Sequence, residues 1–574
     1  MIDDLSPALI LIFGGALMPL LPRNGRNIVL FGAPIAALAQ LCLMSSGNHV
    51  LWQLFGHELV TVRIDGLSFV WALIFCIAAC INSLYSQHLR QGAEMGRLQD
   101  ASGLIYAGAG VGAVLAGDLI TLFVYWELTA IASVFLIWAS RTETAIKTGI
   151  RYLIIQVGSG VLLLAGALLM QHTTGSLAFD HIGLDSTAGK LIFIAFGIKC
   201  AFPLLHNWLQ DSYPQATPTG TVVLSAFTTK LAVYALARGF AGEEILIWIG
   251  ATMTAFPIFF AVIENDLRRV LAYSLNNQLG FMVVGVGIGT DMAINGAAAH
   301  AFCHILYKAL LFMSMGAVLY RVGTIKASEL GGLYKSMPLT TFFCIIGAMS
   351  ISAFPMFSGF VSKSMILTAA AEEHMWVVWC VLLMASAGVM DHSGIKIPFF
   401  TFFAHDQRHN FSHKIQEAPS NMLWAMGIAA FLCVAIGIYP APLYALLPFP
   451  ELALQYNPYT SDHVVAQLQL LFFSALAFAV LFRTGLYPPE IRSTNLDTDW
   501  IYRKLIPAAL TPLLNYTFEL VERIEEAIDR SVGHMGQWLG RQFSNGYLVR
   551  DANSASMVGL ALLVFAAALL WGFL

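Results

Sequence analysis

Phe196-Gly197-Ile198-Lys199-Cys200-Ala201-Phe202-Pro203 has an echo at Ser393-Gly394-Ile395-Lys396-Ile397-Pro398-Phe399. Each stretch sets a lysine directly after Gly-Ile and shortly before a proline, at the edge of an apolar run. Glycine and proline loosen a helix, and a lysine in hydrocarbon is costly unless it is paired or wetted. The same combination in both halves of one chain implies a duplicated transport unit built on interrupted helices.

The residues around these stretches fix the class. Of 574 residues, 58% are hydrophobic and 11% charged, against roughly 25% charged in a soluble domain. Mean hydropathy is +0.72 over the whole length, which excludes a large soluble domain. Apolar runs of about twenty residues recur, the length that a spanning helix needs. The alternating segments of a membrane β-barrel do not occur. The expectation is an all-α polytopic membrane protein of roughly 14–16 transmembrane helices.

Basic residues orient it. Arg23/Arg26, Arg90/Arg97, Arg141/Lys147/Arg151, Arg268/Arg269 and Arg321/Lys326/Lys335 share one side if the N-terminus is external. The loops at 47–63 and 172–188 are poor in Lys and Arg, so these basic loops face inward. Met1-Ile2-Asp3-Asp4 is acidic, which reads as the start of a retained span and not of a signal peptide. The eight cysteines show no Cys-x-x-Cys or Cys/His spacing and read as packing residues. No phosphate- or dinucleotide-binding glycine motif is present, and no cofactor, metal or nucleic acid is expected.

Two stretches break the apolar pattern. Residues 405–420 form a polar loop carrying His405, Asp406, Arg408, His409, Ser412, His413 and Lys414. Within 500–545, Phe518, Val521, Ile524, Ile528, Val532, Met535 and Trp538 recur at spacings of three and four among charged residues. That pattern is an amphipathic helix lying along the membrane surface or bracing neighbouring subunits. A last span is expected at 556–574.

The chemistry falls to ionisable residues that the apolar runs do not exclude. Glu127 sits mid-run, and Lys199 follows Gly-Ile at the first break. Lys230 lies in Ser225-Ala-Phe-Thr-Thr-Lys230-Leu-Ala-Val-Tyr234, flanked by apolar residues. His300, His304 and Lys308 are spaced by four and share one helical face. Lys396 completes the series, with Asp391 and His392 one turn upstream as supporting groups. Burial lowers a lysine's affinity for its proton and a nearby carboxylate raises it. Glu127 with Lys199 or Lys230 would therefore act as a switch, and a Lys–His–Lys row as a relay.

These residues match a family. The chain resembles the large antiporter-like subunits shared by Mrp-type multisubunit cation/proton antiporters, respiratory complex I and membrane-bound hydrogenases. The likeness to Mrp-type D subunits is carried by Ala385-Ser-Ala-Gly388 and Gly394-Ile-Lys-Ile-Pro-Phe-Phe400. The wider match rests on Leu122-Phe-Val-Tyr-Trp-Glu-Leu128, Gly197-Ile-Lys-Cys-Ala-Phe-Pro-Leu-Leu-His-Asn-Trp-Leu209 and Lys230-Leu-Ala-Val-Tyr-Ala-Leu-Ala-Arg238. It continues through Asp266-Leu-Arg-Arg-Val-Leu-Ala-Tyr-Ser274, His300-Ala-Phe-Cys-His-Ile-Leu-Tyr-Lys-Ala-Leu-Leu-Phe312 and Phe357-Ser-Gly-Phe-Val-Ser-Lys363.

The resemblance implies two inverted five-helix repeats, each with one broken helix, around a central polar axis. Glu127 matches the family's essential glutamate, Lys199 the lysine of the first broken helix and Lys230 the linking lysine. His300, His304 and Lys308 match the central relay, and Lys396 the terminal charge of the second broken helix; Lys363 falls in a matching motif with a structural role. The regions implied are N-terminal helices at 1–100, a first repeat at 101–260 and a second at 261–405. C-terminal helices with the polar loop occupy 406–499, and the lateral helix with the final span 500–574.

Three stretches depart from the family pattern: Ala216-Thr217-Pro218, Thr219-Gly-Thr221 and Leu275-Asn-Asn-Gln278. The long tail is similar to the lateral arm of the distal antiporter-like component of complex I. The expected role is a proton-translocating subunit of a multisubunit antiporter in a bacterial inner membrane. It would be a transporter subunit and not an enzyme, working with other membrane subunits, protons and Na⁺ or K⁺. The alternatives are a proton-pumping subunit of a redox complex, or an energy-coupling subunit for a soluble partner such as one handling inorganic carbon.

Overall fold

The computed structural model describes residues 5–544 except 55, 88–93, 408–410, 412–413, 493–494 and 496. The expected span at 556–574 lies outside these residues, as do Arg90, Arg408, His409, Ser412 and His413. The chain divides into two units, Met1–Asn495 and Leu496–Leu574.

In hydrocarbon each backbone N–H and C=O must be satisfied internally, so the apolar runs become helices. Among the described residues, ten helices are long and apolar enough to cross a membrane. In chain order, α1 (Pro7–Leu17) and α2 (Arg23–Leu43) precede a hairpin of β1 (Gly47–Leu54) and β2 (His57–Ile64). Next come α3 (Gly66–Tyr85), α4 (Glu94–Leu115), α5 (Leu119–Trp138), α6 (Glu143–Thr174), α7 (Thr187–Cys200) and α8 (Asn207–Ser212). They are followed by α9 (Pro218–Ala226), α10 (Thr228–Gly239), α11 (Glu244–Ile263), α12 (Leu267–Ile288) and α13 (Asp291–Val322). Then come α14 (Pro338–Ile351), α15 (Ser358–Glu372) and α16 (Trp376–Val389), before helices at Ser420–Ile438 and Ser461–Thr484. Helices α9, α10, α12 and α13 are buried on nearly every face, so the axis they carry is shielded from lipid.

The internal duplication is visible in the caps. Asp118 accepts the Thr121 N–H at the start of α5, Thr142 caps α6, and Gly175 ends α6 at φ 73°. Ala178 then pairs back to Asp118 through an isolated antiparallel bridge. Asp266, Thr290, Gly323 (φ 85°) and Lys326 repeat this for α12 and α13 at identical spacings. In that register Gln156 of α6 answers His304 of α13, and Gly160 answers Lys308.

The helix interruptions also come in a pair. Between α7 and α8, Ala201 (φ 61°) and Leu204 (φ 70°) take left-handed backbone within Ala201-Phe-Pro-Leu204. Between α14 and α15, Ala353 (φ 57°) and Met356 (φ 74°) do the same within Ala353-Phe-Pro-Met356. The counterpart of the first break is therefore this one, and not the Gly394-Ile-Lys396 stretch. The helix of α16 runs on unbroken to Phe403. Two π-helical segments, Met390–Ile395 and Phe399–Phe403, flank Pro398. Widened turns accommodate the N–H that Pro398 lacks. Lys396 is thus not the charge of the second broken helix; the lysine attached to that break is Lys363, on α15.

The loop expected at 47–63 is a hairpin, paired from Gly47↔Ile64 to Leu54↔His57. The β-branched run Val60-Thr61-Val62 favours strand. The hairpin delivers Asp65 to the start of α3, where Asp65 and Ser68 form a reciprocal capping box. Asp65 also accepts two hydrogen bonds from Arg238, at 2.7 and 2.8 Å. Burial pushes the Asp65 carboxyl upward, but Arg238, the Ser68 N–H and Arg63 together hold it below the usual carboxylate value. Its stabilising contribution is therefore present above the ordinary carboxylate range and is lost as pH falls through it. Asp65→Ala should cost about 2 kcal/mol, from a lost cap and an unpaired Arg238. Asp65→Asn, which keeps the cap, should cost less in a thermal-shift comparison.

In the second unit, a helix of 39 residues runs from Ile506 to Ser544. Phe518, Val521, Ile524 and Ile528 are exposed along it, and Arg523–Glu519 and Arg530–Glu526 pair at i,i+4. This is the amphipathic helix expected from the spacing.

Candidate functional site

The last turn of α7 brings Lys199, fully buried, onto α5. Its Nζ donates to the Trp126 carbonyl (2.5 Å) and to Thr129 Oγ1 (2.8 Å), and lies 4.5 Å from the Trp126 ring centroid. Trp126 is itself fixed by its indole N–H on Ser159 Oγ (3.0 Å). Glu127 is the neighbouring residue, half-buried, and its charge is felt at Lys199. No ion pair closes between them among the described residues, and Glu127 Oε1 has no hydrogen-bond partner. The pairing expected from the sequence is thus a proximity and not a contact.

Gly160 on α6 leaves the room that Glu127 uses. A β-carbon there would overlap Glu127 Oε1, whereas none would meet anything at Gly158. Gly160→Ala should therefore displace the carboxylate without unfolding α6, because alanine favours helix by about 1 kcal/mol over glycine. Proton movement should fall about 10- to 100-fold, as expected for a small misplacement of a reacting group. Gly158→Ala is the silent control in the same vesicle assay.

Lys230 is fully buried beside the discontinuity between α9 and α10. Its Nζ donates to the Ser225 carbonyl at 2.6 Å, and Trp71 Nε1 donates to the Lys230 carbonyl at 3.2 Å. On α13, His300, His304 and Lys308 form one buried row. His300 Nδ1 meets Ser362 Oγ at 3.1 Å, and Tyr307 OH lies 3.4 Å from His300 Nε2 and donates to Gln278 Oε1 at 3.1 Å. Both ring nitrogens of His304 and the Lys308 amine lack a protein partner. Lys230, Lys308 and Lys363 all lie within electrostatic range of His304. Polar groups so deeply buried are satisfied by ordered water or belong to a functional path.

Lys363 is buried and donates to the Ile351 carbonyl (2.8 Å), reaching across the second break to the end of α14. Its charge acts on His300, His304, Lys308 and His392. The structural role expected for it understates this position. His392 bonds Ser393 Oγ (2.8 Å), which bonds Ser274 Oγ (2.7 Å), and it lies within range of Lys308, Lys363 and Lys396.

Lys396 is fully buried. It donates to the carbonyls of Val262 (2.6 Å), Glu264 (2.8 Å) and Ala261 (3.3 Å) at the end of α11. It also pairs with Glu490 at 2.8 Å. Glu490 stands well beyond Lys396 in sequence, and no spacing rule links the two. Asp391, the partner expected from proximity in sequence, acts on Lys396 only through space. Among the described residues, no three His, Cys, Asp or Glu side chains are grouped to hold a metal ion.

The chain is similar to known membrane proteins. Residues 116–388 match the family model described as NADH:quinone oxidoreductase/Mrp antiporter, TM. The D subunit of the Na(+)/H(+) antiporter of Alkalihalophilus pseudofirmus is 30% identical over 357 residues, covering 58% of this chain and 72% of that protein. Hydrogenase-4 component B of Escherichia coli is 28% identical over 423 residues, covering 66% of this chain. The chain spans 62% of that relative's length, less than two thirds. Among solved structures, a chain of the Mrp complex from Dietzia sp. superposes with a TM-score of 0.69 at 22% identity. It covers 80% of this chain and 98% of that one.

Proposed function

The chain belongs to the NADH:quinone oxidoreductase/Mrp antiporter transmembrane family, and from that premise we propose that it is the proton-translocating subunit of a multisubunit monovalent cation/proton antiporter. It is a multi-pass membrane protein, and the bacterial relatives support a place in the inner membrane. The regions 101–260 and 261–405 are the proposed repeats, supported by the recurring caps and the paired breaks.

One observation carries the reading: a row of basic side chains, Lys199, Lys230, His304, Lys308 and Lys363, is buried in the core, and among the described residues none of them forms an ion pair with a carboxylate. Such a row cannot be fully charged, because like charges in a low-dielectric interior repel strongly. A proton arriving at one station therefore favours release from the next. Glu127 governs the first station: near Lys199 it stabilises the ammonium, and withdrawn it lets the amine release its proton. His300 and His304 can accept at one ring nitrogen and donate from the other, the property a shuttle needs. Gln156, Asn276 and Gln210 place further unpartnered polar atoms in the interior, where water would complete the chain of hydrogen bonds.

Coupling to Na⁺ or K⁺ and the other membrane subunits of the complex are part of this proposal. Everted-vesicle dye quenching of the whole complex with Na⁺, K⁺ and Li⁺ tests it, with Lys396→Ala as comparison. Cation-dependent proton movement in the unaltered complex is expected, and its complete absence would contradict the antiporter assignment. The exposed amphipathic helix Ile506–Ser544 favours a second reading, a proton-pumping subunit braced within a redox complex. That reading predicts proton movement driven by electron transfer and indifferent to the cation.

A further inference from the structure

After the helix Ser461–Thr484, Gly485 reverses the chain at φ 73°. Beyond it, Leu486–Arg492 and Asn495 lie near Lys396 and the end of α11. Tyr487 packs on Phe478 (5.0 Å, edge-on) and stacks on Phe400 (6.3 Å). Arg492 pairs with Glu329 at 2.6 Å, and Asn495 donates to Glu264 Oε2 at 3.0 Å. Anchored on both sides, Pro488-Pro489 presents the Glu490 carboxylate to Lys396. Beyond that ion pair, neither carboxylate oxygen has a hydrogen-bond partner.

Glu490 also lines a cavity of about 350 Å³ together with Ser328, Phe399, Phe403, His405 and Gln407. Ser328 and His405 belong to loops on the side where the basic-residue count places Arg268/Arg269 and Lys326/Lys335. The same carboxylate therefore faces a buried lysine and a cavity bounded by the inner loops. On the membrane side, His392 lies within range of Lys308, Lys363 and Lys396. The other charged or titratable groups around Lys396 are Asp391 on its own helix, Glu264 with Arg269 (3.8 Å) at the α11–α12 turn, and Tyr487.

We propose that Glu490 is a proton-exchange carboxylate for Lys396, and that the pair forms an inward port joining the buried axis, through His392, to the cavity at the inner face. In the forward step the Lys396 ammonium gives its proton to the Glu490 carboxylate, leaving a neutral amine and a neutral carboxylic acid. The acid then releases that proton to water in the cavity. The reverse sequence loads the axis from inside. This rests on the proton-relay reading and assigns it a terminus, carried by a residue outside both repeats.

The test is proton flux through the intact complex in everted vesicles. Glu490→Gln keeps the shape of the side chain and removes its proton chemistry, so flux should fall about 10- to 100-fold. Glu490→Asp should retain most of it. Arg483→Gln, an exposed charge just before the Gly485 turn that takes no part in the port, should remain near the unaltered rate. A Ser328→Cys complex should be blocked by a charged, impermeant thiol reagent added from the inner face and not from the outer. Unaltered flux in Glu490→Gln, or equal loss in Arg483→Gln, would overturn the port and reduce the segment to packing. The relay reading fails separately, if Lys308→Met also transports normally; a dead Lys308→Met beside a normal Glu490→Gln refutes the port alone.

Discussion

Replacing Lys308 by methionine is expected to stop proton movement while making the protein more stable. The Lys308 amine lies fully buried on α13 with no protein hydrogen-bond partner, and the nearby charges that act on it, Lys230 and Lys363, are of like sign. Burying a charge or a bare amine without compensation costs free energy that an apolar side chain of similar length does not. Methionine is an unbranched, adaptable side chain that carries no proton. The stability gain should be about 1–3 kcal/mol, in the range seen when a functional buried polar group is replaced. Flux should fall about a hundredfold or more, the usual loss on removing a proton-transfer group. A residue retained only for packing would show the opposite pair of results: flux preserved and stability reduced.

Glu127→Gln should give a comparable loss of flux with little change in stability. Glutamine fills the space opposite Gly160 equally well, and Glu127 makes no ion pair whose loss would unsettle the fold. What disappears is the negative charge beside Lys199, without which the ammonium at the break is less favoured. We expect about a hundredfold slower proton movement, with assembly and melting temperature unchanged. The double variant Glu127→Gln/Lys199→Met should be no slower than the worse single, because both residues serve one step. Full additivity would mean that the two act independently.

Much of this was legible in the sequence, and the parts that were not share a physical cause. The buried residues Lys199, Lys230, His300, His304 and Lys308 stood out because charge within an apolar run is rare and costly. The amphipathic helix followed from its three- and four-residue spacing. The second break was misplaced because a proline shortly after Gly-Ile-Lys was given the same consequence at both sites. Two residues after Lys396 a proline is absorbed by widened turns, whereas Ala-Phe-Pro-Leu and Ala-Phe-Pro-Met take left-handed backbone and end the helix. That shared Ala-Phe-Pro, and the recurrence of Asp118, Thr142 and Gly175 as Asp266, Thr290 and Gly323, were signals available in the sequence. Glu490 offered none. It follows Pro-Pro in a short polar segment, and only the fold-back after Gly485 brings it to Lys396.

The central claim is that one continuous axis, and not two separate half-channels, carries protons through both repeats. Proton flux in proteoliposomes holding the intact complex, compared for Lys199→Met, Lys363→Met and the double variant, tests it most directly. A serial axis predicts that either single substitution stops the flux and that the double is no worse. Two independent paths predict that each single leaves about half and that only the double abolishes it, a result that would contradict the account.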